Sequence, residues 1–135
     1  MTVSALPRAP GLLQQSSEED IRKQIGDLSR FTVMHNQVLV AIFIRPEKTA
    51  AGIYLPNQTL KEDVWQGKVG LVLKKGPLAF VSDNRTDFGG LDVEPGDWAV
   101  FRVSDGLQLN VNGVVCRLVE DVHIKAVTPD PLLIY

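Results

Sequence analysis

A β-hairpin is encoded by residues 107–118, LQLNVNGVVCRL. Apolar and polar residues alternate over its first half, which is the period of a strand with one face toward a core. Asn112-Gly113 is the dipeptide that favours a two-residue hairpin turn. The return strand follows as Val114–Leu118. This stretch therefore predicts an antiparallel, all-β fold.

Short apolar runs bounded by glycine and proline extend from the hairpin in both directions. Their length and β-branched content are typical of strands. The predicted strands are residues 38–44, 68–73, 98–103 and 122–127. Several short strands at this spacing predict a small irregular β-barrel or sandwich. We expect its core to contain Val40, Ile42, Val72, Val100 and Leu118.

One short helix is predicted before the strands, over residues 17–28. Ile21, Ile25 and Leu28 recur at helical spacing and form one apolar stripe. Gly26 weakens the helix by about 1 kcal/mol relative to alanine. We therefore expect the helix to need a surface on which to dock.

A single domain with two extended arms is the expected organisation of the 135 residues. The predicted units are an N-terminal arm with the helix (1–30), a β-barrel (31–127) and a C-terminal arm (128–135). Both arms carry apolar residues that we expect to bind a partner. These are Leu12, Leu13, Leu132, Leu133 and Tyr135.

Composition excludes several classes of partner. The net charge of −2 provides no basic field, so nucleic-acid binding is not expected. No run approaches the roughly 20 apolar residues of a membrane span, so no membrane partner is expected. The single cysteine, Cys116, cannot form an internal disulfide and fits a reducing compartment.

No catalytic constellation stands out in the sequence. His35 and His123 lie far apart without a second ligand at metal spacing, and we expect satisfied strand histidines. Cys116 sits inside a predicted strand, where a buried and inert thiol is expected. Phosphate-loop and nucleophile-elbow motifs are lacking. The sequence therefore predicts a protein without enzymatic activity, cofactor or metal.

An apolar tip in a polar surround occupies residues 51–56, AGIYLP, between two predicted strands. Exposed apolar side chains on a loop usually serve a partner. We therefore expect Ile53, Tyr54 and Leu55 to bind another protein.

Five segments, in their order, resemble the GroES co-chaperonin family over about residues 31–127. They are VMHNQVLV (33–40), AGIYLP (51–56), QGKV (66–69), EPGDWAVF (94–101) and EDVHIKAV (120–127). The second of these resembles the mobile-loop motif of the family. The resemblance implies an irregular β-barrel with two long loops, here at about residues 46–66 and 78–93.

The departures from the family pattern lie at both ends of the chain and at the loop hinge. The family lacks the 30-residue N-terminal extension and the eight-residue C-terminal arm, and Ala51-Gly52 replaces its Gly-Gly hinge. The final segment, with Asp130-Pro131, looks closer to the GroES-like proteins of tailed bacteriophages.

The sequence leaves two main functions open, and in both the protein acts by binding other proteins. From the arms we prefer a viral capsid cement or decoration protein, which bridges neighbouring capsid subunits. Such a protein is assembled in the host cytoplasm and becomes part of the virion. The alternative implied by the resemblance is a cytoplasmic co-chaperonin, whose seven-fold ring caps a chaperonin through Ile53, Tyr54 and Leu55. A homo-oligomer is expected, and a β-barrel domain with another binding role is a third possibility.

Overall fold

Six antiparallel strands form one sheet in the computed structural model, which describes residues 15–46, 62 and 67–134. One helix and six strands follow in chain order: α1 (Glu18–Ile25), β1 (Gln37–Ile42), β2 (Val69–Lys75), β3 (Trp98–Val100), β4 (Leu107–Val111), β5 (Val114–Glu120) and β6 (Ala126–Thr128). Two 3-10 turns, Asp121–His123 and Pro131–Leu133, flank β6. The all-β class with one short N-terminal helix is confirmed.

Strand β1 lies in the middle of the sheet, whose order is β4-β5-β1-β2-β3-β6. It pairs with β2 on one side and with β5 on the other. Every residue from Val38 to Ile44 is buried. A continuous apolar run, rather than strict alternation, is what a strand covered on both faces requires.

The two faces of the sheet carry separate apolar clusters. Leu39, Ala41 and Phe43 point into one cluster together with residues of α1, and we term this cluster the helix-side core. Val40 and Ile42 point into the other, which we term the loop-side core because residues of the 76–97 loop complete it. The period of two along β1 therefore divides its side chains between two cores.

Helix α1 is docked on the sheet through its apolar stripe. Ile21 and Ile25 are buried in the helix-side core. The Gln24 side chain donates to the Asn112 carbonyl at 3.1 Å, and the Asn112 side chain donates to the Ile25 carbonyl at 2.6 Å. The hairpin turn thus holds the end of the helix that Gly26 caps.

Lys74 of β2 holds the segment between α1 and β1 against the sheet through hydrogen bonds. Its ammonium donates to the carbonyls of Leu28 at 2.9 Å and Phe31 at 2.7 Å. The part of the predicted N-terminal arm from residue 15 onward is therefore in contact with the sheet.

The largest departure from the predicted elements lies at residues 122–127. In place of one strand, the chain forms a 3-10 turn at Asp121–His123, and β6 begins only at Ala126. The Asp121 carboxylate accepts the N–H of Val122 at 2.7 Å and the Asn36 side chain at 3.1 Å. These local bonds compete with the strand conformation. Helix α1 is likewise shorter than predicted.

The predicted core positions divide into two groups. Val40, Ile42 and Val72 are fully buried, as predicted. Val100 and Leu118 pack against the helix-side core but remain half-buried, so their placement in the core interior was wrong. Leu118 lies opposite Leu107 of the edge strand β4, where little covers it.

Candidate partner-binding surfaces

The first predicted loop has a fixed base in the sheet. Ile42 of β1 pairs with Gly70 of β2, and the Phe43 N–H donates to the Val69 carbonyl at 2.8 Å. The chain therefore leaves the sheet and returns to it at one end of the same strand pair.

Gln15 is a buried polar residue at this base. Its side-chain amide donates to the carbonyls of Ile42 at 2.8 Å and Val115 at 3.1 Å. Its side-chain oxygen accepts the Val115 N–H at 2.8 Å, and its own carbonyl accepts the Ile44 N–H at 3.0 Å. The side chain thus bridges β1 and β5 just beyond their last paired residues. Sequence reasoning missed it, because a glutamine in a polar arm carries no pattern.

Most of the predicted partner-binding residues lie outside the described part of the chain. These are Leu12, Leu13, Ile53, Tyr54, Leu55 and Tyr135. Their roles remain predictions.

Leu132 and Leu133 are the two predicted partner-binding residues that the structure describes. Their exposed fractions are 52% and 71%. They belong to a 3-10 turn in which the Asp130 carboxylate accepts the Leu132 N–H at 3.0 Å and Pro131 is buried. Ile134 packs against the helix-side core. The turn is held from both sides while its two leucines face solvent.

Several contacts hold the second predicted loop, between β2 and β3, in place. The Phe80 N–H donates to the buried Asp121 carboxylate at 2.9 Å, and the Phe80 and Phe88 rings form an edge-to-face pair 5.5 Å apart. Lys75 pairs with Asp92 at 2.7 Å. Partial burial opposes the charge of Lys75, but its bonds to acidic partners raise the pKa of this ammonium overall.

An apolar groove of about 540 Å³ runs between this loop and β6. We define the apolar groove by six of its apolar lining residues, Phe88, Leu91, Val93, Val122, Ile124 and Val127. Leu91 at its rim is 77% exposed. Contiguous exposed apolar surface is typical of protein interaction sites and ligand-binding grooves.

The structure describes all three reactive side chains that the sequence singled out, Cys116, His35 and His123. Cys116 is buried as predicted, and burial raises the pKa of its thiol to about 12. His35 lies in a turn with φ 53°, and His123 lies in a 3-10 turn, so their predicted strand positions were wrong. Within residues 15–46, 62 and 67–134, side chains that could ligate a metal ion form no group of three or more. In the same ranges no helix has the length and apolar character needed to cross a bilayer.

An antiparallel sheet with an apolar cluster on each face, a fixed loop base and exposed apolar side chains at its edges defines a small all-β protein. Residues 30–128 match the family described as Chaperonin 10 Kd subunit. The chain therefore belongs to this family, and the resemblance to GroES is confirmed.

Relatives support the same assignment. Co-chaperonin GroES 2 of Mesorhizobium japonicum is 31% identical over 97 residues, which cover 72% of this chain and 88% of the relative. Co-chaperonin GroES of Methylobacterium radiotolerans is 31% identical over 98 residues, or 73% of this chain and 96% of the relative. Co-chaperonin GroES of Pelagibacter ubique is 28% identical over 102 residues, or 73% and 97%. The family match begins at residue 30 and so does not include helix α1.

The comparisons favour the alternative function over the one preferred from the arms. Each of these three relatives carries the name co-chaperonin, and no name among them refers to a capsid or a virion. The arms alone gave the capsid-cement prediction, and the family match supplies no support for it.

Proposed function

We propose that this protein is a co-chaperonin that acts by binding, without a catalytic step, as a ring that caps a chaperonin in the cytoplasm. The family match over residues 30–128 carries the proposal, because it includes all six strands and both long loops. The relatives named co-chaperonin support the same reading.

The tip formed by Ile53, Tyr54 and Leu55 is the part of the chain that we propose contacts the chaperonin. Its support is the apolar tripeptide in a polar surround, together with a base held by β1, β2 and Gln15. Each apolar side chain buried on docking contributes roughly 1.5–3 kcal/mol before the cost of ordering. Three such side chains are enough to dominate a transient contact.

The double variant Ile53→Ser/Leu55→Ser tests this role. We expect it to lose ATP-dependent, chaperonin-assisted refolding of a denatured substrate while its melting temperature stays almost unchanged. Val103→Ser/Leu107→Ser is the matched control, because it removes two exposed apolar side chains, 46% and 64% exposed, that lie outside the first predicted loop. That control should refold substrate as well as the native chain.

Full refolding activity of the tip variant would contradict the proposed contact. A melting temperature lowered by several degrees would instead show that the tip packs on its own sheet. Deleting residues 1–14 separates the co-chaperonin from the capsid protein, because it removes Leu12 and Leu13 but keeps Gln15. The co-chaperonin should retain its activity after this deletion, whereas an arm-dependent capsid contact would be lost.

A further inference from the structure

We propose that His123 is a pH-sensitive latch, whose protonated imidazole joins the loop between β3 and β4 to the turn between β5 and β6. Asp105 of that loop and Glu120, the last residue of β5, are its two carboxylate partners. The latch is independent of the proposed chaperonin contact, so each can be tested without the other.

The imidazole of His123 lies between these two carboxylates and hydrogen-bonds to neither. Its Nδ1 is 4.0 Å from Asp105 Oδ1, and its Nε2 is 3.7 Å from Glu120 Oε2. A charge-assisted hydrogen bond between such atoms is shorter, at about 2.7–2.9 Å. Both contacts are therefore open by about 1 Å.

Two buried atoms of this cluster have no hydrogen-bond partner in the part of the chain that the structure describes. They are Asp105 Oδ2 and His123 Nδ1. Buried polar atoms of this kind are rare in folded proteins, because they lower the stability of the fold. A neutral imidazole carries one N–H and can donate to one carboxylate, whereas a protonated imidazole carries two. Protonation is the change that gives both ring nitrogens a partner.

Arginines provide the other charges close to Asp105. Arg102 Nε lies 4.0 Å from Asp105 Oδ2, and Arg117 Nη1 donates to the Val103 carbonyl at 2.6 Å. Burial lowers the pKa of the Arg117 guanidinium, and the negative charge of Asp105 opposes that lowering. Guanidinium groups stay charged in proteins. In this cluster the charge that changes between about pH 5 and pH 8 is therefore that of His123.

Two further charged side chains belong to the same turn and its exit, but they are engaged elsewhere. The Asp121 carboxylate accepts the Phe80 N–H at 2.9 Å. The Lys125 ammonium donates to the Val122 carbonyl at 3.3 Å. The response of the imidazole is therefore determined by the two carboxylates on either side of it.

Solvent exposure makes Asp105 the stronger of the two partners. Its side chain is 13% exposed, whereas that of Glu120 is 48% exposed. Water and salt screen an exposed ion pair, and such a pair contributes little to stability. The latch therefore depends mainly on Asp105.

The backbone around Asp105 is held on both sides. The Asp105 N–H donates to the Arg102 carbonyl at 3.1 Å, which closes a turn. Gly106 follows with φ 85° and packs so closely on β5 that a Cβ atom there would lie 2.5 Å from Val119 Cγ1. A side-chain movement of about 1 Å is therefore enough to close the latch, without refolding of the loop.

The 3-10 turn that carries His123 also forms part of one wall of the apolar groove. Val122 and Ile124, the neighbours of His123 in the chain, both line that groove. A group that gains partners on protonation adds stability that is complete below the ordinary histidine value of about 6.5 and is lost at higher pH. Closing the latch therefore stiffens this wall as the pH falls.

Thermal unfolding of His123→Gln at pH 5.5 and at pH 8 tests the latch, because glutamine is polar but carries no charge at either pH. The native chain should melt above the variant, and the gap should be wider at pH 5.5 by about 2–4 °C. His35→Asn is the matched control, because the side chain of His35 is exposed and asparagine tolerates its φ of 53°. Its gap should be the same at both pH values.

The same comparison in two further backgrounds identifies the partner. With Asp105→Asn present, His123→Gln should no longer widen the gap at pH 5.5. With Glu120→Gln present, most of the widening should remain, because the Glu120 side chain is the more exposed of the two.

Nuclear magnetic resonance of the native chain provides a second measurement, which needs no variant of the latch to fold. The ring signal of His123 and the amide signals of residues 104–106 should shift together as the pH falls from 8 to 5.5, because one contact joins the ring to the loop. The His35→Asn variant assigns the two ring signals.

Three results would each overturn the latch: a gap for His123→Gln that is no wider at pH 5.5, widening that persists in full with Asp105→Asn, or loop amide signals that do not follow the ring signal. These measurements use the isolated protein. A failure of the latch therefore leaves the refolding assay of the tip variant untouched, and a failure of that assay leaves the latch untouched.

Discussion

Gln15 shows how much a single buried amide contributes where two strands separate. Beyond the last pair of β1 and β5, the backbone groups of Ile42 and Val115 face each other without a ladder. The Gln15 side chain supplies two donors and one acceptor to these groups. A buried backbone group that loses its hydrogen-bond partner lowers the stability of the fold. The surroundings of Gln15 therefore require a side chain that can make these hydrogen bonds.

Replacing Gln15 with leucine should lower the free energy of unfolding by roughly 1–3 kcal/mol, because the Val115 N–H and two carbonyls lose their partner. Urea unfolding measures the loss. The matched control is Gln24→Leu on the exposed face of α1, for which we expect less than about 1 kcal/mol. Equal losses for the two variants would show that burial of the amide does not matter.

Cys116 predicts a dependence of stability on alkaline pH. An unfolded chain ionises its thiol near the ordinary value of 9.0, whereas burial raises the pKa in the fold to about 12. The thiol's contribution to stability is therefore complete below pH 9 and is lost as the pH rises toward 12. The difference in unfolding free energy between the native chain and Cys116→Ala should shrink from pH 8 to pH 10.5. A constant difference would contradict the buried thiol.

Among the elements, the row of leucines across β4, β5 and β1 displays a gradient of burial. Leu107 faces Leu118, and Leu118 faces Leu39, so one side chain type occupies an exposed, a half-buried and a fully buried position. Chemistry and secondary structure are the same at all three. Differences in stability along the row therefore report packing alone.

Alanine at each position of this row should cost progressively more. Leu107→Ala should stay within about 0.5 kcal/mol, Leu39→Ala should cost about 2–5 kcal/mol, and Leu118→Ala should fall between them. Chemical denaturation of the three variants gives the order. If Leu118→Ala lowered the free energy of unfolding as much as Leu39→Ala, then β4 and its surroundings would cover Leu118 more fully than the structure shows.

The elements that the sequence predicted well are those whose signal is local. The hairpin of β4 and β5 follows from alternation and from Asn112-Gly113, which adopt φ 50° and 84°. The turn at Asp121 was missed, because its carboxylate is satisfied by Asn36 and Phe80 from distant parts of the chain. Of the predicted partner-binding residues, Leu132 and Leu133 are exposed, and their role in binding stays a prediction. The apolar groove was not predicted, because it exists only after the fold brings its walls together.

At the scale of the whole molecule, the segment from Gln15 to Phe31 covers one face of the sheet. The family match begins only at residue 30, so this cover is an addition to the matched region. Ile21 and Ile25 are nevertheless buried as deeply as the strands beneath them. We infer that the predicted N-terminal unit and the barrel do not unfold independently of each other.

A fragment of residues 30–135 should therefore be much less stable than a fragment of residues 15–135. Losing the cover exposes the helix-side core, including Phe43 and Val114, to water. Thermal unfolding and binding of a hydrophobic dye measure the effect, and the 15–135 fragment is the control. Matching melting temperatures would show that the sheet is self-sufficient without α1.

The hydrogen bonds between Gln15 and Val115 join residues 100 positions apart in the chain. A ribosome adding about 5–20 residues per second needs about 5–20 s to make the intervening chain. Throughout that interval the N-terminal segment exists without the strand that will receive it, and β1 lacks its β5 neighbour. Closure of the molecule is consequently a late event in its synthesis, governed by long-range contacts that form slowly.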